Sequence, residues 1–303
     1  MQQMISCPDF LGIGAPRCGT TFLFKQLVTH DKIWIPSIKE IHYFDNQRGR
    51  SFLNKRNLKH IKYSVGTMLG LKILWYLWKK KTVQFGKYPY EILFSIKYLF
   101  GPRTDEWYFS LFPKKSGVLT GEITPSYQKL SEELVAIIAK NSPNLKIFYL
   151  MRDPIERAWS HVVYDQAKRK KRHISMVNEK IIFDRLNGEA ISLASNYLAN
   201  IKKWQKYFPK ENIFIGFLED IIENPIDFMV SVYNFLEIGP NQKQNIRSLS
   251  NKVNDTDKFK TDIPDHIERF LAEKFSEMTK ILAGKYGGRT IEYYEHIRKI
   301  LDS

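Results

Sequence analysis

Cysteine is almost missing from this chain. Cys7 and Cys18 are the only two in 303 residues, so no framework of disulfides can staple the fold. No charged n-region with an apolar h-region precedes Phe10, and a cytoplasmic, reducing setting is the expectation. An aromatic and apolar run at residues 65–78 falls short of the roughly 18 residues a membrane span needs, and Lys72 splits it. A buried or amphipathic helix fits that run better; a helix resting on a membrane surface, with Lys79 to Lys81 at its end, is the weaker alternative. No cluster of His and Cys offers a metal site, and none is expected. RNP, zinc-finger and helix-turn-helix patterns are also lacking, which removes support for nucleic-acid binding.

Positive charge is plentiful. Lys and Arg number 47 against 32 Asp and Glu, a net charge of +15, which calls for an anionic partner without choosing one. The basic residues are spread along the chain, apart from a K-R-K-K-R run at 168–172 that reads as the solvated end of a helix. A length of 303 residues fits one large α/β domain, or a domain carrying a substantial insertion.

The most informative stretch is residues 10–28, F-L-G-I-G-A-P-R-C-G-T-T-F-L-F-K-Q-L-V. An apolar run of strand length is followed by Pro16, Arg17, Cys18 and Gly19, and then by Leu23, Phe24, Leu27 and Val28 at helical spacing. A strand, a tight loop and a helix start aim backbone N–H groups at one point. The helix adds about half an elementary positive charge there, and Arg17 a full one, so the point attracts phosphate or sulfate. A P-loop nucleotide hydrolase would read G-x-x-x-x-G-K-[ST]. Gly14 and Gly19 keep that spacing, but Thr20 stands where the lysine belongs and Thr21 follows it.

Further along, residues 37–45 (S-I-K-E-I-H-Y-F-D) read as extended, with Glu40 and His42 on one face and Ile41 and Tyr43 on the other. A carboxylate and an imidazole then share one surface near the mouth of the first loop, and either has the chemistry to take a proton. Residues 117–124 form an extended stretch ending in G-E-I-T-P-S-Y, and Ser131 caps a following helix. A core strand at 145–151 leads into R-D-P-I-E-R-A-W-S, where Asp153, Pro154 and Glu156 start a helix as N-cap, N1 proline and N3 acid. Arg152 then sits at the C-terminal end of a parallel strand, with Ser160 two turns along the helix. Tyr197, Ile201, Trp204 and Phe208 form one apolar helix face, residues 212–218 a strand, and 225–235, 264–286 and 290–301 helices.

These strings together resemble sulfotransferases that use 3′-phosphoadenosine 5′-phosphosulfate (PAPS), of the heparan sulfate and bacterial carbohydrate type. The loop resembles their P-[KR]-x-G-T-[TS], residues 39–44 their K-E-x-x-[FY]-F, and residues 152–160 their R-D-P-x-x-R-x-x-S. The resemblance implies a single domain over 1–303, with a P-loop-like central parallel sheet flanked by helices. It leaves a helical and aromatic insertion at 46–107 that lines or covers the acceptor site. It implies that Arg17, Cys18, Gly19, Thr20 and Thr21 bind the 5′-phosphosulfate and that Arg152 and Ser160 bind the 3′-phosphate. Tyr197 is implied as a further cofactor contact, Lys258 and Lys260 as residues closing over the adenine, and Glu40 as the base with His42 beside it. Glu122 and Tyr127 are possible acceptor contacts, although a structural turn accounts for them equally well. The acceptor is expected to be a saccharide or small natural product. A P-loop kinase or NTPase and a non-catalytic nucleotide-binding module are the alternatives.

Overall fold

The computed structural model describes residues 8–36, 38–45, 89–113, 116–240 and 261–303. Residues 46–88 of the expected insertion, together with Lys258 and Lys260, lie outside the described residues.

Five strands form one sheet: β1 (Phe10–Gly14), β2 (Ile33–Trp34), β3 (Leu119–Ile123), β4 (Lys146–Met151) and β5 (Ile213–Phe217), in the order β2-β3-β1-β4-β5. Every pairing is parallel. A parallel sheet carries crossovers on its faces, so its central strands are buried on both sides and read as continuous apolar runs. All five residues of β1 are buried, as are the last five of β4. Because the strands run one way, their C-terminal ends share one edge, and the loops after β1, β2, β3 and β4 gather there.

The crossovers supply the helices. They are α1 (Thr20–Val28), α2 (Pro89–Phe100), α3 (Asp105–Ser110), α4 (Glu132–Asn141), α5 (Pro154–Tyr164), α6 (Glu179–Asn187), α7 (Glu189–Ser195), α8 (Tyr197–Gln205), α9 (Leu218–Glu223), α10 (Pro225–Phe235), α11 (Asp265–Tyr286) and α12 (Arg289–Asp302). The expected start signals operate. Ser131 accepts from the Leu134 N–H, and Asp153 from the N–H groups of Ile155 and Glu156. Helix α5 continues into a π-helical turn at Asp165–Arg169, so the basic run follows a helix end. One core surrounds the sheet; a second cluster, including Ile155, Trp159, Leu186, Leu271 and Ile297, joins α5, α6, α11 and α12.

One local expectation fails. Residues 38–45 are not a strand: β2 stops at Trp34, and Glu40 and His42 take left-handed φ values of 67° and 56°. Ile41, Tyr43 and Phe44 are nonetheless buried while Glu40 and His42 are only half-buried, so the alternation of inside and outside survives without extended backbone.

Gly121 shows how closely β3 approaches β1. It lies opposite Phe10, and a Cβ there would come within 2.3 Å of the Phe10 ring. That ring is fully buried, edge-on to Phe148 at 5.8 Å. Gly121→Ala should therefore destabilise the protein by about 1–3 kcal/mol through overpacking, read as a lower urea midpoint. An unchanged midpoint would mean that the ring has room to move aside.

Candidate active site

Two groups of side chains stand on the loop edge of the sheet. The first is cationic. Arg17, at φ 72° in the loop after β1, reaches across to α5 and donates to Ser160 Oγ from Nε (3.1 Å) and Nη2 (3.0 Å). Its guanidinium also lies 4.4 Å from the ring centroid of Tyr164, one helical turn beyond Ser160. Burial lowers the Arg17 pKa, and the neighbouring charge of Arg152 lowers it further. Among the described residues no carboxylate pairs with Arg17. Arg152 donates from Nη2 to Glu156 Oε2 at 2.7 Å, so Glu156 serves as its partner and not as the reciprocal half of a capping box.

The floor of this group is fixed by buried residues. Tyr197 is fully buried, donates its hydroxyl to the Arg152 carbonyl at 2.8 Å, and lies 3.9 Å from Cys18 Sγ. It thus ties the loop after β1 to the loop after β4 from below. The Tyr197 ring has no exposed surface, so its part here is to support the two loops. Cys18 is equally buried and burial pushes its thiol up to about 12, so only its backbone is placed to meet a ligand. Gly19 precedes α1 at φ 86°, and no side chain caps that helix. The first N–H groups of an uncapped helix have no intrahelical partner. A Cβ at Gly19 would come within 2.7 Å of Ile221, so the loop is tight as well as left-handed. From the other side, α12 braces the strand end: His296 Nδ1 is 2.8 Å from Asp153, and Glu219 accepts from the Asp153 N–H (3.1 Å) and the Tyr293 hydroxyl (2.6 Å).

The second group is an alternating chain of charges. Lys39 Nζ lies 2.6 Å from Glu40 Oε1, His42 Nε2 3.3 Å from Glu40 Oε2, and His42 Nδ1 2.7 Å from Asp45 Oδ2. Burial works to raise the Glu40 carboxyl, but the hydrogen bond from His42 and the charge of Lys39 hold it at about 2. His42, hydrogen-bonded first to Asp45 and then to Glu40, is lifted to about 10. Glu40 is therefore ionised and His42 protonated at neutral pH, which leaves the carboxylate as the proton acceptor and the imidazolium as its neighbour. Asp45 was missed in the sequence, where the E-x-H-x-x-D spacing was its only signal; Tyr164 had none.

The structure thus joins Arg17 to Ser160 directly and to Arg152 through charge, and joins Glu40 to His42. Among the described residues no group of three or more His, Cys, Asp or Glu could hold a metal ion, and no helix is long and apolar enough to cross a membrane.

A family model described as a sulfotransferase domain matches residues 7–300. The chain belongs to the sulfotransferase family. Its relatives include the carbohydrate sulfotransferase 15 of Rattus norvegicus, 24% identical over 92% of this chain and 51% of that protein. Another is the heparan sulfate glucosamine 3-O-sulfotransferase 5 of Mus musculus, 25% identical over 78% of this chain and 55% of that protein. The chain spans about half the length of these curated relatives. Among solved structures, a sulfotransferase from Alicyclobacillus acidocaldarius shares the fold, with a TM-score of 0.58 and 19% identity over 92% of this chain and 95% of that one. The chain has a P-loop-like α/β fold, and its loop departs from the P-loop pattern at Thr20, which is buried.

The charge chain makes stability depend on pH in two windows. His42 titrates above its ordinary 6.5, so its contribution is complete below that value and fades as pH rises through about 10. Glu40 titrates below its ordinary 4.5, so its contribution is present above that value and fades as pH falls through about 2. In a ring-proton NMR titration His42 should stay protonated well past neutrality, and Asp45→Asn should return its midpoint toward 6.5 because Asp45 is the larger of its two partners. A wild-type midpoint near 6.5 would show that the chain of pairs does not form.

Proposed function

We propose that this sulfotransferase transfers the sulfuryl group of PAPS to a hydroxyl or amine of a carbohydrate or small natural product. The observation that carries the reading is the pair of guanidiniums, Arg17 and Arg152, held in each other's field beside Ser160 and the open start of α1. Like charges so placed are relieved by an anion, and a planar guanidinium suits phosphate and sulfate oxygens. Ser160 accepts from Arg17, so its own hydroxyl proton remains to donate to an anion. Arg17, with the backbone of Cys18, Gly19, Thr20 and Thr21, would hold the phosphosulfate end, while Arg152 and Ser160 would hold the 3′-phosphate. Bound PAPS supplies an electrophilic sulfuryl group. Glu40 takes the acceptor's proton, a task that contributes roughly a hundred- to ten-thousandfold in comparable sites. A cation fixed where negative charge grows on the leaving phosphate is worth a few kcal/mol of barrier, and Arg17 is placed for it. The saccharide reading draws support from the relatives, whose names specify carbohydrate and heparan sulfate glucosamine.

Incubation with labelled PAPS and a panel of acceptors, including desulfated heparan saccharides, chondroitin saccharides and phenols, tests the whole reading; label that stays on PAPS throughout would leave a binding module. Adenosine 3′,5′-bisphosphate should raise the melting temperature well above the effect of ATP with Mg²⁺, because ATP lacks the 3′-phosphate. Saturation a hundredfold over Kd stabilises by about 2.7 kcal/mol, and Arg152→Ala should remove most of the difference. Equal shifts from the two nucleotides would favour a kinase-like site.

Glu40→Gln keeps the shape and removes the basicity, so kcat should fall by about a hundredfold or more with bisphosphate binding near normal. Full activity in that variant would take the base away from Glu40.

A further inference from the structure

Glu122 lies under the acid–base group and faces no acceptor. Its side chain is 2% exposed, as Tyr127 is 0%, so the expectation that they touch an acceptor is corrected. Glu122 Oε1 accepts from the hydroxyls of Tyr108 (2.6 Å) and Tyr127 (2.9 Å), and Oε2 from Thr124 Oγ1 (2.8 Å). All three neighbours donate, and among the described residues no Lys, Arg or His pairs with it. Only an acceptor with several lone pairs satisfies such a ring; an amide would bring two N–H groups against donors.

Two of those donors also hold the loop above. Tyr127 Oη accepts from the Tyr43 N–H at 3.0 Å while donating to Glu122. The Tyr108 ring stacks on Tyr43 with centroids 4.4 Å apart and planes 10° from parallel. Ile41 and Tyr43 alternate with Glu40 and His42, the two residues at positive φ. Residues with a Cβ stay in that region only where their surroundings over-determine them. The restraint here comes from beneath, at Tyr43 beside His42.

We propose that Glu122, acting through Tyr127 and Tyr108, is the positioning residue of the acid–base group: it fixes the two rings that hold Tyr43, so that the neighbouring Glu40 and His42 turn outward within hydrogen-bond reach of each other. The proposal deepens the reading of Glu40 as the base and rests on it for its catalytic consequence alone. The G-E-x-T-P-x-Y string at 121–127 then has a purpose. Glu122 supplies the acceptor, Thr124 a second donor, and Pro125 opens the 3-10 turn (Pro125–Lys129) that brings Tyr127 back over Glu122.

Tyr127→Phe in the full chain is the mild test, since it deletes one hydroxyl and keeps the ring against Phe44. The His42 midpoint should drop by about one pH unit or more, and sulfuryl transfer from PAPS to the saccharide panel should fall about tenfold or more. The melting shift given by adenosine 3′,5′-bisphosphate should stay as in the wild type, because the cationic group is untouched. Glu122→Gln should move the same readouts further in the same direction; if it fails to fold, Tyr127→Phe decides alone. An unchanged His42 midpoint with unchanged transfer overturns the proposal. So does a loss of bisphosphate binding in proportion to transfer, which would mean general damage. Should the wild type neither bind the bisphosphate nor transfer sulfuryl, the PAPS reading fails, and the His42 titration still decides whether Glu122 sets the loop.

Discussion

Arg17 and Arg152 hold two positive charges at the edge of one sheet, and much of the surrounding structure serves to keep them there. Left alone, the flexible ends of two arginines would swing apart into water. Arg17 is restrained by two donations to Ser160 and by the face of Tyr164, Arg152 by Glu156, and the backbones of their two loops by the single hydroxyl and ring of Tyr197. A third guanidinium, Arg157, is fully buried below and donates only to Ser195 Oγ and the Ile191 carbonyl among the described residues. Its field reaches Arg17 and Cys18 and adds to the same positive potential. Charges held in place beforehand are what a preorganised electrostatic site requires.

The sheet turns separate motifs into one site. Since β1 lies between β3 and β4, the loops carrying Arg17, Thr124 and Arg152 are neighbours although their residues are far apart in sequence. Residues 38–45 follow β2 onto the same edge and are clamped to the β3 end by the Tyr43 N–H and the Tyr127 hydroxyl. The aromatic set of Tyr43, Phe44, Tyr108 and Tyr127 gives that clamp a rigid base.

How much of this could be read beforehand depended on whether local pattern alone decides the outcome. The strand, loop and helix at 10–28 and the cap, proline and acid at 153–156 are local signals, and both appear within a residue of their expected places. Strands β1, β3, β4 and β5 were legible as extended or apolar stretches, whereas the two residues of β2 are too few to show a strand pattern. Residues 38–45 were misread for a physical reason: alternation of apolar and polar side chains reports which face is buried, not the backbone that achieves it. Nothing in Glu40 or His42 announces a positive φ, which glycine or asparagine would have done. The bond from the Tyr197 hydroxyl to the Arg152 carbonyl had no signal, because a buried tyrosine looks the same in sequence whatever its hydroxyl meets. The short helices α3, α6 and α7 escaped notice because six to nine residues give too few turns for a period to show.

The charge chain raises a tension that its geometry also resolves. A carboxyl held at about 2 is always ionised at neutral pH but is a weak base, since Lys39 and His42 stabilise its negative form. Both cations are side chains on flexible links, and each has an alternative partner. His42 has Asp45, with which it already makes the shorter contact. Lys39, adjacent in sequence to Glu40, would find one in the oxygens of a transferring sulfate. When either moves toward its alternative, the Glu40 carboxylate loses a donor and its proton affinity rises, because the stabilisation of its charged form is what depressed it. Basicity thus depends on which partner each cation keeps. A hydroxyl acceptor needs that gain to lose its proton, whereas a neutral amine attacks before deprotonation and draws on it less.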